Sequence, residues 1–446
     1  MKQSEKNVIG RRKFAKTTVQ SMAGALFLPT ILPSNIKWKG ANDRILMASI
    51  GLGSRASHEL DNYILPLEGS YSVAMCDVHL DRRENWVRKV NEYYSSKGIK
   101  APECKSYLDL EEILDRSDID AVHITTPDHW HVAAATKAAK AGKHIMLAKP
   151  LGLSYPHYQK LSNAVVKNDV RFHYATQQRT FEHMKAGVEM IQEGKIGDIE
   201  RVDIWCPGKN PVSSPECKAV PVPDTFDFDK WTGPAPLNSY CPDRVTNNSS
   251  WFQYDYSIGF LAGWGAHPID IMVWALKDQV SGQYSCKGNG TFWSEGGMYD
   301  NIYSWDVNYE YENGLKVHFV TTDLFEDMVK ERKEEAYNGT TFYGTKGWIS
   351  LSRESVESNI PDINQKLNQY SRGNNTMGQA FLDVIHGKTK EICPLDEAII
   401  SDTISHMGDI AIRMKKSVSW DPVKGKVDDK EGNKLYSRKY RKPYTI

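Results

Sequence analysis

The sequence predicts an α/β fold: a doubly wound parallel-sheet domain first, then an α+β domain with a large open mixed or antiparallel sheet. Three observations predict it. Short apolar runs of strand length alternate with helical stretches through the first third of the chain. A glycine-rich turn directly follows the first of those runs. From Arg171 onward the strand-like segments lengthen and are separated by Gly-, Pro- and Asn-rich loops.

The chain has 446 residues, more than one hydrophobic core ordinarily organises. We divide it into a leader over 1–40, a nucleotide-binding domain over 41–168, and a substrate-binding and oligomerisation domain over 169–446. Gly10-Arg11-Arg12-Lys13-Phe14 precedes the mildly apolar run Met22 to Leu28. That order, basic residues with paired arginines and then a weak hydrophobic stretch, suggests a twin-arginine export signal and a periplasmic destination.

Arg44 to Ile50 reads as the first strand and ends in Gly51-Leu52-Gly53-Ser54-Arg55-Ala56, with a helix expected next. Tyr71 to Cys76 is a second buried strand and stops at Asp77. Leu108 to Leu114 is helical, with Asp109 as its N-cap. Asp120 to Pro127 is a further strand, His131 to Ala141 an Ala-rich helix stopped by Gly142, and Lys143 to Leu147 the next strand. In the second domain, strands are expected over Glu200 to Trp205, Tyr303 to Tyr311, Leu315 to Thr322 and Thr341 to Tyr343. Helices are expected around Ala380 to His386 and Leu395 to Lys415, and a surface turn over Val423 to Asn433.

The turn after the first strand carries the main chemical signal. Gly51 and Gly53 let the backbone bend and approach a diphosphate, while Ser54 and Arg55 open the helix that follows. Asp77 lies about twenty residues past Ala56, where a carboxylate holds ribose hydroxyls. This is a Rossmann-type dinucleotide site. Asp77 favours NAD, since a carboxylate repels a 2′-phosphate, and Arg82 and Arg83 leave NADP open. Thr126, Pro127, His131 and Gln178 sit at or near expected strand ends, where cofactors bind in such sheets. His129-Trp130-His131 lacks a third ligand nearby, so no metal is expected.

Lysine plus arginine balances aspartate plus glutamate, 56 against 56, so no basic stripe argues for nucleic acid. No segment after the leader has the run of about eighteen apolar residues that spans a bilayer. Seven scattered cysteines with no C-x-x-C pair argue against a disulfide framework or a cysteine zinc site.

Several motifs in order then identify a resemblance. They are Gly51-Leu52-Gly53, Thr126-Pro127-Asp128-His129-Trp130-His131, Ala148-Lys149-Pro150-Leu151, Trp231-Thr232-Gly233-Pro234-Ala235-Pro236, Gly263-Trp264-Gly265-Ala266-His267-Pro268-Ile269-Asp270 and Tyr343-Gly344-Thr345-Lys346-Gly347. The chain resembles the glucose–fructose oxidoreductase / inositol dehydrogenase (Gfo/Idh/MocA) family over nearly all of its length after the leader. The resemblance implies a Rossmann domain joined to an open-faced sheet that often mediates dimers or tetramers, and a tightly held NAD. It places Lys149 and Pro150 beside the nicotinamide and the reacting hydroxyl, and His267 in the second catalytic position.

Two acids of the family pattern are missing. Its motif glutamate is Ala148 here, and the aspartate four residues before the histidine is Gly263. Asp255 or the substrate itself could take over the lost carboxylate's role, or Gly263 could make room for a glycoside. With an ordinary pKa near about 6.5, His267 suits the general base, and Lys149 suits stabilising a developing alkoxide. Arg179, Tyr256 and Trp264 are the remaining expected substrate contacts. The leading expectation is hydride transfer between NAD(P) and a sugar, glycoside or polyol. The alternatives are a glycosidase that oxidises, eliminates and re-reduces, and a non-catalytic NAD-binding sensor.

Overall fold

The computed structural model describes residues 44–208, 213–246, 249–293, 296–324 and 337–446. The expected leader lies outside the described residues. Six parallel strands form the first sheet: β1 (Ile45–Ile50), β2 (Ser70–Cys76), β3 (Lys105–Tyr107), β4 (Ala121–Ile124), β5 (His144–Ala148) and β6 (Phe172–Ala175). Their order is β3-β2-β1-β4-β5-β6. The strands are apolar on both faces because helices cover both: Ala48, Val73, Ala74, Val122, Ile124, Ile145 and Leu147 are all fully buried. Burying one such Val, Ile or Leu side chain contributes roughly 1.5–3 kcal/mol.

The helices are α1 (Ser54–Glu59), α2 (Leu80–Ser96), α3 (Leu110–Leu114), α4 (Asp128–Lys140) and α5 (Tyr155–Lys167). Asp109 caps α3 as expected, its side chain accepting from the Glu111 N–H. Helix α4 begins earlier than His131, directly after Pro127. Its alanines 133, 134, 135, 138 and 139 are buried, and such small side chains let a helix lie close to a sheet. Strand order reverses between β1 and β4, so the crevice where ligands bind in these sheets opens at their carboxyl ends.

Phe172–Ala175 corrects the expected boundary. We read this strand as opening the second domain, but it pairs parallel with β5 and completes the first sheet, which therefore extends past residue 168. Its short apolar run fits the interior of a parallel sheet as well as the edge of a new domain.

The second sheet has nine strands: β7 (Ile199–Cys206), β8 (Tyr284–Phe292), β9 (Ile302–Tyr311), β10 (Lys316–Thr321), β11 (Gly339–Gly344), β12 (Gly347–Ser352), β13 (Val356–Ser358), β14 (Val418–Asp421) and β15 (Lys426–Val427). It is mixed: β7 and β10 run parallel, the other pairs antiparallel. Helix α6 (Glu182–Gln192) packs on β12 and β13. Helices α7 (Ala266–Val280) and α8 (Leu395–Met414) pack on each other, α7 against β7 and β11 and α8 against β8. Strand β8 escaped the sequence reading because Gly288, Asn289 and Gly290 interrupt its apolar pattern.

Two further expectations are overturned. Residues 423–433, read as a surface turn, include β15 and the start of a helix at Lys430–Leu435, capped by Asp429 through the Glu431 and Gly432 N–H groups. Cys217 and Cys241 form a disulfide with Cα atoms 5.6 Å apart. Scattered spacing hid the pair, because the intervening loop folds back on itself. The remaining five cysteines are buried thiols.

Candidate active site

Gly51 and Thr126 bring the loops after β1 and β4 into contact. Gly51 has φ +85°, and a Cβ there would meet the Thr126 nitrogen at 2.7 Å. Only glycine tolerates both. A Cβ at Gly53 would find nothing within 4 Å, so its backbone faces open space. The Asp77 carboxylate is 7% exposed and accepts from the Leu52 N–H at 2.7 Å and the His79 N–H at 2.8 Å. Asp77 thus pins the glycine turn. Ser54 is exposed at the start of α1. Arg55 donates to Gln177 Oε1 at 3.0 Å and pairs with Glu59 at 2.6 Å.

Three buried polar atoms at the carboxyl ends of β4 and β6 have no partner among the described residues: Thr126 Oγ1, Thr176 Oγ1 and Gln178 Nε2. Orphaned polar groups are costly unless a ligand pairs them. An open glycine backbone, a carboxylate at the end of β2 and these unpaired groups together fit a dinucleotide.

Lys149 directly follows β5, and its peptide bond to Pro150 is cis. The loop that follows is tied to α8: Asp402 accepts from the Leu151 N–H at 3.1 Å and from the Tyr158 hydroxyl, and His406 lies 3.0 Å from the Gly152 carbonyl. Lys149 is thereby held in one direction. Its Nζ donates to the Gly263 carbonyl at 2.5 Å and lies 4.8 Å from the centre of the Trp251 ring. Burial of the amine, with Arg55 nearby, pushes its pKa down to about 7. The Trp251 indole N–H in turn donates to Asp128 at 3.2 Å, and the Ser257 hydroxyl donates to the same carboxylate at 2.7 Å. Asp128, at the start of α4, joins the first domain to the segment that carries Trp251.

His267 is the second residue of α7 and 4% exposed. Its Nδ1 has no partner among the described residues. Burial, then the positive charges of Lys149, Arg353 and Arg55, hold its pKa well below the ordinary imidazole value. Asp255, the alternative orienting acid, instead accepts from Asn238 at 2.9 Å. A Cβ at Gly263 would only touch the Trp251 ring at 3.6 Å, so space there does not exclude a side chain. Trp264 stands edge-on to His267, with ring centres 5.7 Å apart.

Other expected contacts lie elsewhere. Arg179 is 3% exposed, binds both Asp270 oxygens at 2.6 and 2.8 Å and also pairs with Glu397. It ties α7 to α8 and is not open to substrate. Tyr256 is fully buried, with Trp231 and His129 at 4.9 and 5.0 Å between ring centres, which makes it a core residue. The ring nitrogens of His131 face the Pro150 and Thr126 carbonyls at 2.6 and 2.8 Å. That histidine bridges the loops after β4 and β5. A cavity of about 270 Å³ beside α4, bounded in part by Leu153, Tyr254, Arg438 and Tyr440, is not lined by Lys149 or His267.

Sequence reasoning missed Arg353, just past β12. Its guanidinium carbon lies 5.2 Å from the Trp264 ring centre. No motif surrounds it, and only the folded sheet carries it to His267. Among the described residues no group of three His, Cys, Asp or Glu side chains converges as metal ligands, and no helix is long and apolar enough to cross a membrane.

The fold and the cleft define an NAD-binding oxidoreductase. Residues 45–176 match the family model for the NAD-binding Rossmann fold, and residues 208–446 match that for the C-terminal alpha/beta domain. The chain belongs to the Gfo/Idh/MocA oxidoreductase family. It is 35% identical over 91 residues to a levoglucosan dehydrogenase from Pseudarthrobacter phenanthrenivorans, covering 20% of this chain and 23% of that one. It is 33% identical over 115 residues to a glycosyl hydrolase family 109 protein from Shewanella baltica, covering 25% and 24%. The chain spans less than half the length of the curated relatives it matches. Among solved structures, the WlbA dehydrogenase from Bordetella pertussis, in complex with NADH and UDP-GlcNAcA, superimposes with a TM-score of 0.61 at 12% identity, covering 84% of this chain and 98% of that one. Scyllo-inositol dehydrogenase from Lactobacillus casei, with NAD(H) and scyllo-inositol, gives 0.56 at 15% identity, covering 84% and 99%.

Proposed function

We propose that this protein oxidises a hydroxyl of a sugar, glycoside or polyol, with Lys149 as the base. One observation carries this: an amine whose pKa is pushed down to about 7 acts on a neutral imidazole whose Nδ1 has no partner among the described residues. NAD held in this cleft would supply the hydride acceptor for the carbinol carbon. Lys149, as free amine, takes the hydroxyl proton. The ammonium so formed is held by the Gly263 carbonyl and the Trp251 ring face. His267 stays neutral at physiological pH and hydrogen-bonds the reacting oxygen through its free ring nitrogen. This exchanges the roles that unperturbed pKa values suggest for the two residues. Gly51, Gly53 and Asp77 would hold the diphosphate and ribose of NAD.

The test is a panel of sugars, glycosides and polyols, with NADH formation and keto product measured together. Accumulating keto-sugar or lactone supports the reading. The likeness to the glycosyl hydrolase family 109 protein favours a second reading, in which transient oxidation acidifies a neighbouring C–H, the aglycone is eliminated and the sugar is re-reduced. Aglycone release with solvent deuterium entering the sugar, and no net NADH, would select it. Bound NAD that no sugar reduces, with no effect of Lys149→Ala, would leave a non-catalytic role.

Export through the twin-arginine route to the periplasm is part of the proposal. The Cys217–Cys241 disulfide supports it, since such bonds persist in oxidising compartments. Cytoplasmic retention of an Arg11→Lys, Arg12→Lys variant would agree; unchanged fractionation would refute it. A homo-oligomer joined through the open sheet is likewise proposed, to be tested by light scattering.

A further inference from the structure

Arg353 follows β12 in the turn before β13, on the substrate-domain wall of the cleft. Its Nε and Nη2 are buried and make no hydrogen bond among the described residues. Glu354, its neighbour in sequence, pairs with Arg372 at 3.2 Å, and the positive charges of Arg372 and Arg55 act on Arg353 more strongly than Glu354 does. Trp264 offers only its ring face. The charges acting on the nearby His267 are positive as well: Lys149, Arg353 and Arg55. Glu59 is committed to Arg55 and His123, and Asp128 to Trp251 and Ser257. Ala148, next to Lys149 in the chain, and Gly263, whose carbonyl Lys149 bonds, bring no side-chain charge to offset these cations.

A guanidinium with buried, unsatisfied N–H groups is costly to keep. The arrangement makes sense if an anion arrives with the ligand. A guanidinium offers parallel N–H donors in a plane, the geometry that a carboxylate fills with two oxygens. We propose that Arg353 is the anion-recognising residue of the substrate site, and that the preferred substrate is a carboxylate-bearing sugar or sugar derivative, such as a uronate. This rests on the reading of the Lys149 cleft as a sugar-oxidising site. The position of Arg353 fits the substrate better than the cofactor diphosphate. It stacks against Trp264, three residues before His267, whereas the diphosphate turn at Gly51–Gly53 lies on the opposite domain.

Lys149 is bonded to the neutral Gly263 carbonyl, which keeps the site receptive to negative charge; a carboxylate at position 263 would repel the incoming anion.

The experiment uses the full-length protein loaded with NAD. Binding of hexuronates and of the matching neutral hexoses is measured by calorimetry, and turnover is measured in parallel. Uronates should bind at least tenfold more tightly than their neutral partners. Arg353→Met should lower uronate affinity by roughly tenfold to a hundredfold, the range for a charge-assisted hydrogen-bonded pair. Neutral sugars and NAD should move less than about threefold by the same reasoning, since neither uses that pair. The variant should melt no lower than the parent protein, because a buried charge without a partner is removed; a structural arginine would show the opposite. Arg353→Lys should recover only part of the uronate affinity, having lost the two-pronged geometry.

Equal loss for uronates and neutral sugars, or no preference for uronates, overturns the proposal. Loss of NAD affinity instead assigns Arg353 to the diphosphate and likewise overturns it. Arg353-dependent uronate binding without hydride transfer would retain this site and refute the oxidoreductase reading. Oxidation of neutral sugars alone would do the reverse.

Discussion

Replacing Lys149 by arginine keeps the positive charge and much of the length but removes the ability to lose a proton. The size of the effect follows from the environment of the amine. With its pKa at about 7, half of the Lys149 side chains are free amine at neutral pH. With the ordinary value, roughly one in 3000 would be. Burial and the Arg55 charge therefore supply about a thousandfold more base than an exposed lysine would. A positioned general base contributes about 10²- to 10⁴-fold in rate, so Lys149→Arg should lower kcat for sugar oxidation by that range while NAD affinity stays within about threefold. The parent enzyme's rate should rise with pH through an apparent pKa near 7, and the variant should lack that limb. Stopped-flow measurement of NADH formation from about pH 5.5 to 9, a span set by that titration, reads both. A variant that retained the limb, or lost less than tenfold, would refute the assignment of Lys149 as base.

The same lowered pKa sets a stability prediction with a definite sign. Protonating Lys149 is harder in the folded chain than in the unfolded one. The penalty is absent above the ordinary value of 10.5, grows as pH falls, and is level below about 7. Lys149→Met should therefore raise Tm more at pH 7 than near pH 10.5, as calorimetry would read. Asp77→Ala should weaken NAD binding by roughly tenfold to a hundredfold and narrow the preference over NADP, since the repelling carboxylate is gone; fluorescence titration with both coenzymes checks it. Asp270→Asn leaves Arg179 with part of its pairing deep between α7 and α8, and should cost about 3–5 kcal/mol in chemical denaturation. Substituting serine for Cys217 and Cys241 removes a link across 24 residues and should cost about 3 kcal/mol on the loop-entropy estimate.

The sequence by itself determined the first domain and the two central catalytic candidates. The strands of a parallel sheet are buried on both faces, so they stand out as apolar runs. Gly51, Gly53 and Asp77 lie within a single local β–α–β unit, and Lys149 and His267 sit in contiguous motifs. Helix α8 was legible for the same reason, as a long periodic segment. Tertiary structure decided the environment of those groups. Lys149's basicity depends on burial and on a charge from α1, and His267's neutrality on Lys149, Arg353 and Arg55, which no window of sequence holds together. Folding also took Arg179 and Tyr256 out of the site: a buried arginine goes to whichever carboxylates surround it, and a tyrosine's exposure depends on what packs over it. The Cys217–Cys241 disulfide and the place of Phe172–Ala175 in the first sheet rest likewise on distant partners. A residue's type and local pattern fix its backbone preference. Its partners, its charge and its access to a ligand are sums over neighbours, and those exist only once the chain has folded.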